Sequence, residues 1–231
     1  MPLASRAART SGLAGPPRGG GRWCHADDRR FKTLFHVCRL FMSITDREIV
    51  LGVSGGVAAF KAAALASMLA QRGARVTAVL TRNARRFVGE ATFAALTGRP
   101  VASRGFDAAR YPLGAHIELA ERADLVVVAP ATADFLAKTA SGAADDLLTT
   151  LMLCAECPVL VAPAMNAAMW AKPAVQRNVA QLVADGVQIV SPGTGWLSCR
   201  KHGAGRMAEP DTILAAIESV LAGTPHTPRT I

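Results

Sequence analysis

From residue 48 onward, short apolar runs alternate with longer amphipathic stretches. EIVLGV (48–53), RVTAVLT (75–81), LVVVAP (125–130), PVLVAP (158–163) and VQIVSP (187–192) read as strands. Most of these runs lack a polar residue at every second position, the pattern of strands covered on both faces, so the sheet should be parallel with helices on each side. Helices are expected over 57–73, stopped by Gly73, and over 114–122, 132–154 with a break near Gly142, 173–185 and 210–222. This order predicts an α/β fold: a doubly wound parallel sheet, Rossmann-like (flavodoxin-like), in three α/β/α layers. No repeat of fixed period runs through the chain.

In such a sheet, ligands sit outside the carboxyl ends of the strands. Here those ends read SGGV, TRNA, PATAD, PAMN and SPGTGW, polar or glycine-rich where the opposite ends are plain. Ser54-Gly55-Gly56 falls between a strand and a helix, where free N–H groups and the helix dipole favour an anion. Its spacing is neither G-x-G-x-x-G nor a Walker loop, and no acidic residue ends the second strand to hold a ribose. Thr81-Arg82-Asn83 stands there instead. Hydroxyl, guanidinium and amide groups suit a terminal phosphate, which favours a mononucleotide such as FMN over a dinucleotide.

Composition narrows the picture. The 231 residues, 51% apolar, suffice for one core. The formal charge of +9 invites a nucleic-acid reading, but residues 1–41 hold eight basic and two acidic residues, and the remainder is close to balance. Residues 1–41, rich in Arg, Gly, Pro and Ala, are expected to be a disordered basic extension ahead of a single domain at 42–231. Met42 is an alternative start, and Asp27 and Asp28 argue against a transit peptide. No nucleic-acid partner is expected. No apolar run reaches the roughly 18 residues of a membrane span, so a cytoplasmic protein without membrane contact is expected. The five cysteines form no disulfide framework. Cys154 and Cys157 make a C-x-x-C with no second ligand pair; they read as core thiols, and no metal site is expected.

Five stretches, GVSGGVAAFK (52–61), GAHIELA (114–120), APATADFLAK (129–138), APAMNAAMW (162–170) and CRKHGAGRMAEP (199–210), resemble the homo-oligomeric flavin-containing cysteine decarboxylases, most closely the phosphopantothenoylcysteine decarboxylases. The resemblance covers residues 47–222. It implies an FMN-dependent carboxy-lyase converting 4'-phosphopantothenoylcysteine to 4'-phosphopantetheine in coenzyme A biosynthesis, working as a homotrimer or homododecamer with FMN between subunits. By it, Ser54, Gly55, Gly56 and Val57 with Thr81 and Asn83 would hold the FMN phosphate and ribityl chain. Thr132, Ala133, Asp134, Phe135 and Ala164 would line the flavin. His116 would be the essential base, Asn166 would grip the substrate carboxylate, and Trp196 through Met207 would form a flap carrying Cys199 as proton donor. Trp196, Ser198, Arg206 and Met207 would face the substrate, with Arg206 complementing its phosphate.

The chemistry explains these residue types. Direct loss of CO2 from cysteine leaves an unstabilised carbanion, whereas transient oxidation of the thiol by flavin opens an easier route without net redox change. A histidine titrates near neutral pH, and a thiol on a closing flap can deliver the last proton away from water. Two positions depart from the family pattern: Arg200 stands where a glycine usually follows the cysteine, and Asp145 where relatives tend to carry Asn. Met169 and Trp170 read as core residues. Other readings of the fold are a peptidyl-cysteine decarboxylase, a flavin prenyltransferase or a flavin-binding regulatory subunit. The intact His116, Asn166 and Cys199 favour the pantothenoyl substrate. As the chain ends at Ile231, the ligase half often fused to such enzymes is expected on a separate protein.

Overall fold

The computed structural model describes residues 44–103, 105 and 107–224; the expected extension at 1–41, with Cys24 and Cys38, lies outside them. In chain order the elements are β1 (Glu48–Val53), α1 (Ala59–Gln71), β2 (Arg75–Leu80), a 3-10 turn (Ala84–Arg86), α2 (Glu90–Thr97), α3 (Ala115–Arg122), β3 (Leu125–Ala131), α4 (Ala133–Ala140) and α5 (Leu147–Cys154). They continue with β4 (Val159–Pro163), α6 (Ala167–Trp170), α7 (Pro173–Ala184), β5 (Gln188–Ile189), β6 (Gly193–Trp196), β7 (His202–Arg206) and α8 (Pro210–Ala222). The main sheet is parallel with strand order 2-1-3-4-5, the flavodoxin-like order whose direction reverses between β1 and β3.

Alternate residues of one strand enter opposite layers. Ile49, Leu51 and Val53 of β1 pack with Leu65 and Leu69 of α1 and with Ile213, Leu214 and Ile217 of α8. Val50, between them, joins Val126 and Val128 of β3 against Leu119 of α3, Phe135 and Leu136 of α4, Leu148 and Leu151 of α5 and Leu182 of α7. Both faces are dry, which is why the strands read as unbroken apolar runs, and each fully buried Leu or Ile adds on the order of 1.5–3 kcal/mol. Cys154 and Cys157 pack, partly buried, against the second of these layers.

The expected break in 132–154 is wider than one glycine. Gly142 takes φ +70° after α4, and α5 restarts on a capping box in which the Thr149 N–H donates to Asp146 Oδ1 at 2.8 Å and the Asp146 N–H donates to Thr149 Oγ1 at 3.1 Å. One expectation needs correction, and two elements were not anticipated. VQIVSP forms only the two-residue strand Gln188–Ile189. The stretch Glu90–Thr97, not read as regular structure, is a helix closed by Gly98 in the left-handed region. The flap of 196–207 is ordered as the antiparallel hairpin β6–β7, whose backbone pairs Thr194 with Ala204 and Trp196 with His202.

Candidate functional site

A cavity of 640 Å³ opens over the carboxyl ends of β1, β3 and β4, at the point where the strand order reverses. Its floor begins at the β1–α1 turn. Among the described residues, the backbone N–H groups of Gly55, Gly56 and Val57 have no protein acceptor, so this helix start presents unpaired donors to the cavity. Gly55 is required by close approach: a Cβ there would lie 2.3 Å from Asn83 Cβ. Asn83 and Thr81 therefore stand beside the turn, although neither lines the cavity; Thr81 Oγ1 accepts from the Ala84 N–H at 3.2 Å.

Ser54 lies beneath the turn. Its buried hydroxyl donates to the Pro130 carbonyl at 2.8 Å and accepts from the Thr132 N–H at 2.9 Å, coupling the ends of β1 and β3. Thr132 caps α4 by accepting from the Phe135 N–H at 3.3 Å, and with Ala133 it forms one wall of the cavity. The next two residues turn away. Asp134 is exposed and paired with Lys138 at 3.2 Å, and Phe135 is buried in the core. The structure thus places Asp134 and Phe135 outside the cavity of their own chain.

The β4–α6 turn supplies Ala164, Met165 and Asn166. Asn166 caps α6, its Oδ1 accepting from the Met169 N–H at 2.8 Å. This fixes the side chain and leaves its Nδ2 donor unused. Met169, expected in the core, is 42% exposed and lines the cavity, because α6 is a single turn at the mouth of the cavity rather than a helix covering the sheet. Trp170 is partly buried against the core, as expected.

The hairpin roofs this floor. Trp196, Leu197, Ser198, Gly205, Arg206 and Met207 line the cavity from above. Its tip is closed by the Leu197 N–H donating to the Lys201 carbonyl at 2.8 Å and the Arg200 N–H donating to the Leu197 carbonyl at 2.9 Å. Cys199 is a free, exposed thiol in this turn and does not line the cavity. Arg200 has φ +60°, so it holds the left-handed geometry that a glycine takes without strain. At the hairpin's other end, Gly205 has φ +117° and its carbonyl accepts from the Met165 N–H at 2.9 Å, docking the roof on the floor.

His116 is partly exposed at the start of α3, in the layer that packs with α5, and it is not among the lining residues. The chain therefore gathers Asn166, Ser198, Arg206 and Met207 around one space but leaves His116 apart from it. Sequence reasoning missed Lys61 as a site residue. It lines the cavity and is 7% exposed, and its signal was a lone charge inside the apolar run AAFKAAALA. Among the described residues, no three His, Cys, Asp or Glu side chains gather as a metal site, and no helix is long and apolar enough to cross a membrane.

Residues 42–222 match the family model described as Flavoprotein. The chain is 47% identical over 175 residues to the coenzyme A biosynthesis bifunctional protein CoaBC of Mycobacterium bovis, covering 76% of this chain and 41% of that protein. It is 44% identical over 179 residues to CoaBC of Bacillus subtilis, covering 78% and 44%. The chain thus spans less than half the length of these curated relatives. Among solved structures, the FMN-dependent cysteine decarboxylase SpaF is similar at TM-score 0.65 and 36% identity, over 77% of this chain and 97% of that one. A mutant PPC decarboxylase complexed with pantothenoylaminoethenethiol is similar at TM-score 0.68 and 30% identity, over 75% and 97%. A 2-1-3-4-5 sheet with a turn of unpaired N–H donors at its reversal point, matched over residues 42–222, places this chain in the flavoprotein family.

Proposed function

We propose that the chain is an FMN-dependent decarboxylase that converts 4'-phosphopantothenoylcysteine to 4'-phosphopantetheine in coenzyme A biosynthesis. The observation that carries this reading is one cavity whose walls join an anion-receiving turn, a capped Asn166 amide and a roofing hairpin with a thiol at its tip. CoaBC proteins and a PPC decarboxylase among its relatives support the choice of substrate.

The residues present fit FMN. The open N–H groups of Gly55, Gly56 and Val57 suit its phosphate, with Thr81 and Asn83 beside them. Thr132, Ala133 and Ala164 offer a mostly apolar wall for a flat ring. When bound, FMN supplies a transient two-electron exchange with the cysteine thiol, which lowers the barrier to losing CO2.

The protein's own groups do the rest. Overall, the bond from the cysteine α-carbon to its carboxylate breaks, a C–H bond forms in its place, and CO2 leaves. The Nδ2 group of Asn166, left free by the capping bond of Oδ1, donates to the substrate carboxylate. Arg206 pairs with Glu209 through Nη2 at 2.8 Å, and its remaining N–H groups face the substrate phosphate. Trp196, Ser198 and Met207 cover the substrate, and Cys199 supplies the proton when the hairpin tip swings inward.

His116 acts as the base in this reading, and its place outside the cavity of its own chain favours a homo-oligomer, a trimer or a dodecamer, in which it serves the cavity of a neighbouring copy. The exposed apolar side chains Val57, Phe60 and Trp196 on the cavity rim support burial against such a neighbour. The thiols Cys154, Cys157 and Cys199, which form no disulfide among the described residues, suit a reducing, cytoplasmic setting.

The higher identity to SpaF favours a second reading, in which the same site takes another cysteine substrate such as a peptide C-terminus. The test is to purify the full chain, record its visible spectrum, and follow both substrates by mass spectrometry. Bound flavin with loss of CO2 from phosphopantothenoylcysteine is the expected result. Bound flavin with turnover of the peptide alone selects the second reading, and a colourless protein that FMN cannot reconstitute overturns both.

A further inference from the structure

We propose that Lys61 is a positioning residue that holds the roofing hairpin over the cavity. The inference rests on the reading above for why the hairpin matters, and on geometry alone for the tie itself. Lys61 sits in the first turn of α1, the helix that starts at the anion-receiving Gly55-Gly56 turn. Its side chain is 9% exposed and belongs to the buried positions of α1, where an ammonium without partners is costly. It donates to the Met207 carbonyl at 3.1 Å and to Glu209 Oε1 at 3.0 Å. These two acceptors flank the passage from β7 into α8, so Lys61 anchors one leg of the hairpin to the helix that carries the cofactor turn.

The tie continues into the other leg. Glu209 Oε1 also pairs with Arg206 Nη2 at 2.8 Å, so one carboxylate oxygen is shared by both cations. The Arg206 side chain lies across β6, where a Cβ on Gly195 would be 3.2 Å from Arg206 Nη1. Lys61, Glu209 and Arg206 thus link α1 to both strands of the hairpin.

The tip of the hairpin provides a readout independent of turnover, because Arg200 and Lys201 are exposed trypsin sites. Full chain reconstituted with FMN is digested briefly, and cleavage after these two residues is quantified by mass spectrometry. Lys61→Met should accelerate that cleavage about tenfold, as expected when a buried charge pair with one half-exposed partner is broken. Glu209→Gln should accelerate it about threefold, and Lys61→Arg, which can make both bonds, should stay within about twofold of wild type. A Leu69→Ala variant controls for general loosening of α1, and it should accelerate cleavage elsewhere rather than at the tip. Wild-type cleavage in both Lys61→Met and Glu209→Gln overturns the proposal, as does equal acceleration at the tip by Leu69→Ala. Should Lys61→Met not fold, Glu209→Gln and Lys61→Arg decide it. A protein that binds FMN but turns over no cysteine substrate would defeat the functional reading while leaving this tie intact.

Discussion

The Met165 N–H donates to the Gly205 carbonyl at 2.9 Å, and this one bond docks strand β7 on the turn after β4. Gly205 is at φ +117°, and an added Cβ would meet the Met165 carbonyl oxygen at 2.5 Å. Roof and floor of the cavity thereby meet backbone to backbone. Gly205→Ala should cost about 1–3 kcal/mol, from the strained φ and the clash, while the core stays folded. The expected outcome is a lowered melting temperature with FMN retained and the KM for substrate raised. A variant as stable as wild type would show that the hairpin stands without this contact.

Arg200 holds φ +60° at the hairpin tip. Replacing it by glycine relieves about 1 kcal/mol of left-handed strain, offset in part by the greater freedom of glycine in the unfolded chain. Because the Leu197 N–H donates to the Lys201 carbonyl across this tip, hydrogen exchange at Leu197 should slow in Arg200→Gly. Faster exchange there would mean that the arginine side chain stabilises the turn by more than its backbone costs.

Asp145 accepts from Lys138 at 2.8 Å. This bond is the chief reason that the Asp145 carboxyl titrates below 3.8 and, together with Asp134, that the Lys138 ammonium titrates above 10.5. The depressed acid contributes stability that is present above 3.8 and lost as pH falls through its folded value. The raised base contributes stability that is present below 10.5 and lost as pH climbs through its folded value. Asp145→Asn should therefore melt slightly lower than wild type near neutral pH, and the two curves should merge in strong acid. Thermal unfolding of both proteins across pH measures this, and a gap that persists in strong acid would assign the effect to packing instead.

His116→Asn should keep bound flavin and lose about 10²–10⁴-fold in turnover, the usual worth of a positioned base. Since His116 lies outside the cavity of its own chain, mixed oligomers of His116→Asn and Asn166→Ala chains should recover part of the activity that each variant lacks. Absence of recovery in a verified mixed oligomer would place base and carboxylate grip within one chain.

The central strands were legible because both faces of each are buried, so hydrophobicity alone marks them; β1, β2, β3 and β4 fall within a residue of their expected bounds. VQIVSP carried the same signal but borders the sheet, and Leu182 takes the Val187 N–H while β4 pairs only with Gln188 and Ile189. The flap was expected from the resemblance alone, and its strands left no trace because GTGW and HGAGR have weak β propensity; pairing and the docking of Gly205 order them. Helix α2 left a trace in the Gly98-Arg99-Pro100 stop, which went unread. At the site, glycine spacing and the PAMN capping residue were legible from local chemistry. The remoteness of His116 was not, since a motif names a residue without saying whose cavity it enters.

The short β5 has a bearing beyond topology. On one rim of the sheet only Gln188 and Ile189 pair with β4, and on the other Ala102 already occupies β2 by accepting from the Leu80 N–H and donating to the Ala78 carbonyl. Among the described residues, a foreign strand would find only the two residues of β5 on one side and the Arg75–Thr77 half of β2 on the other. In the homo-oligomer proposed above, copies of this chain would therefore meet through side-chain surfaces rather than by sheet continuation, which would let residues near the cavity rim specify assembly and chemistry together.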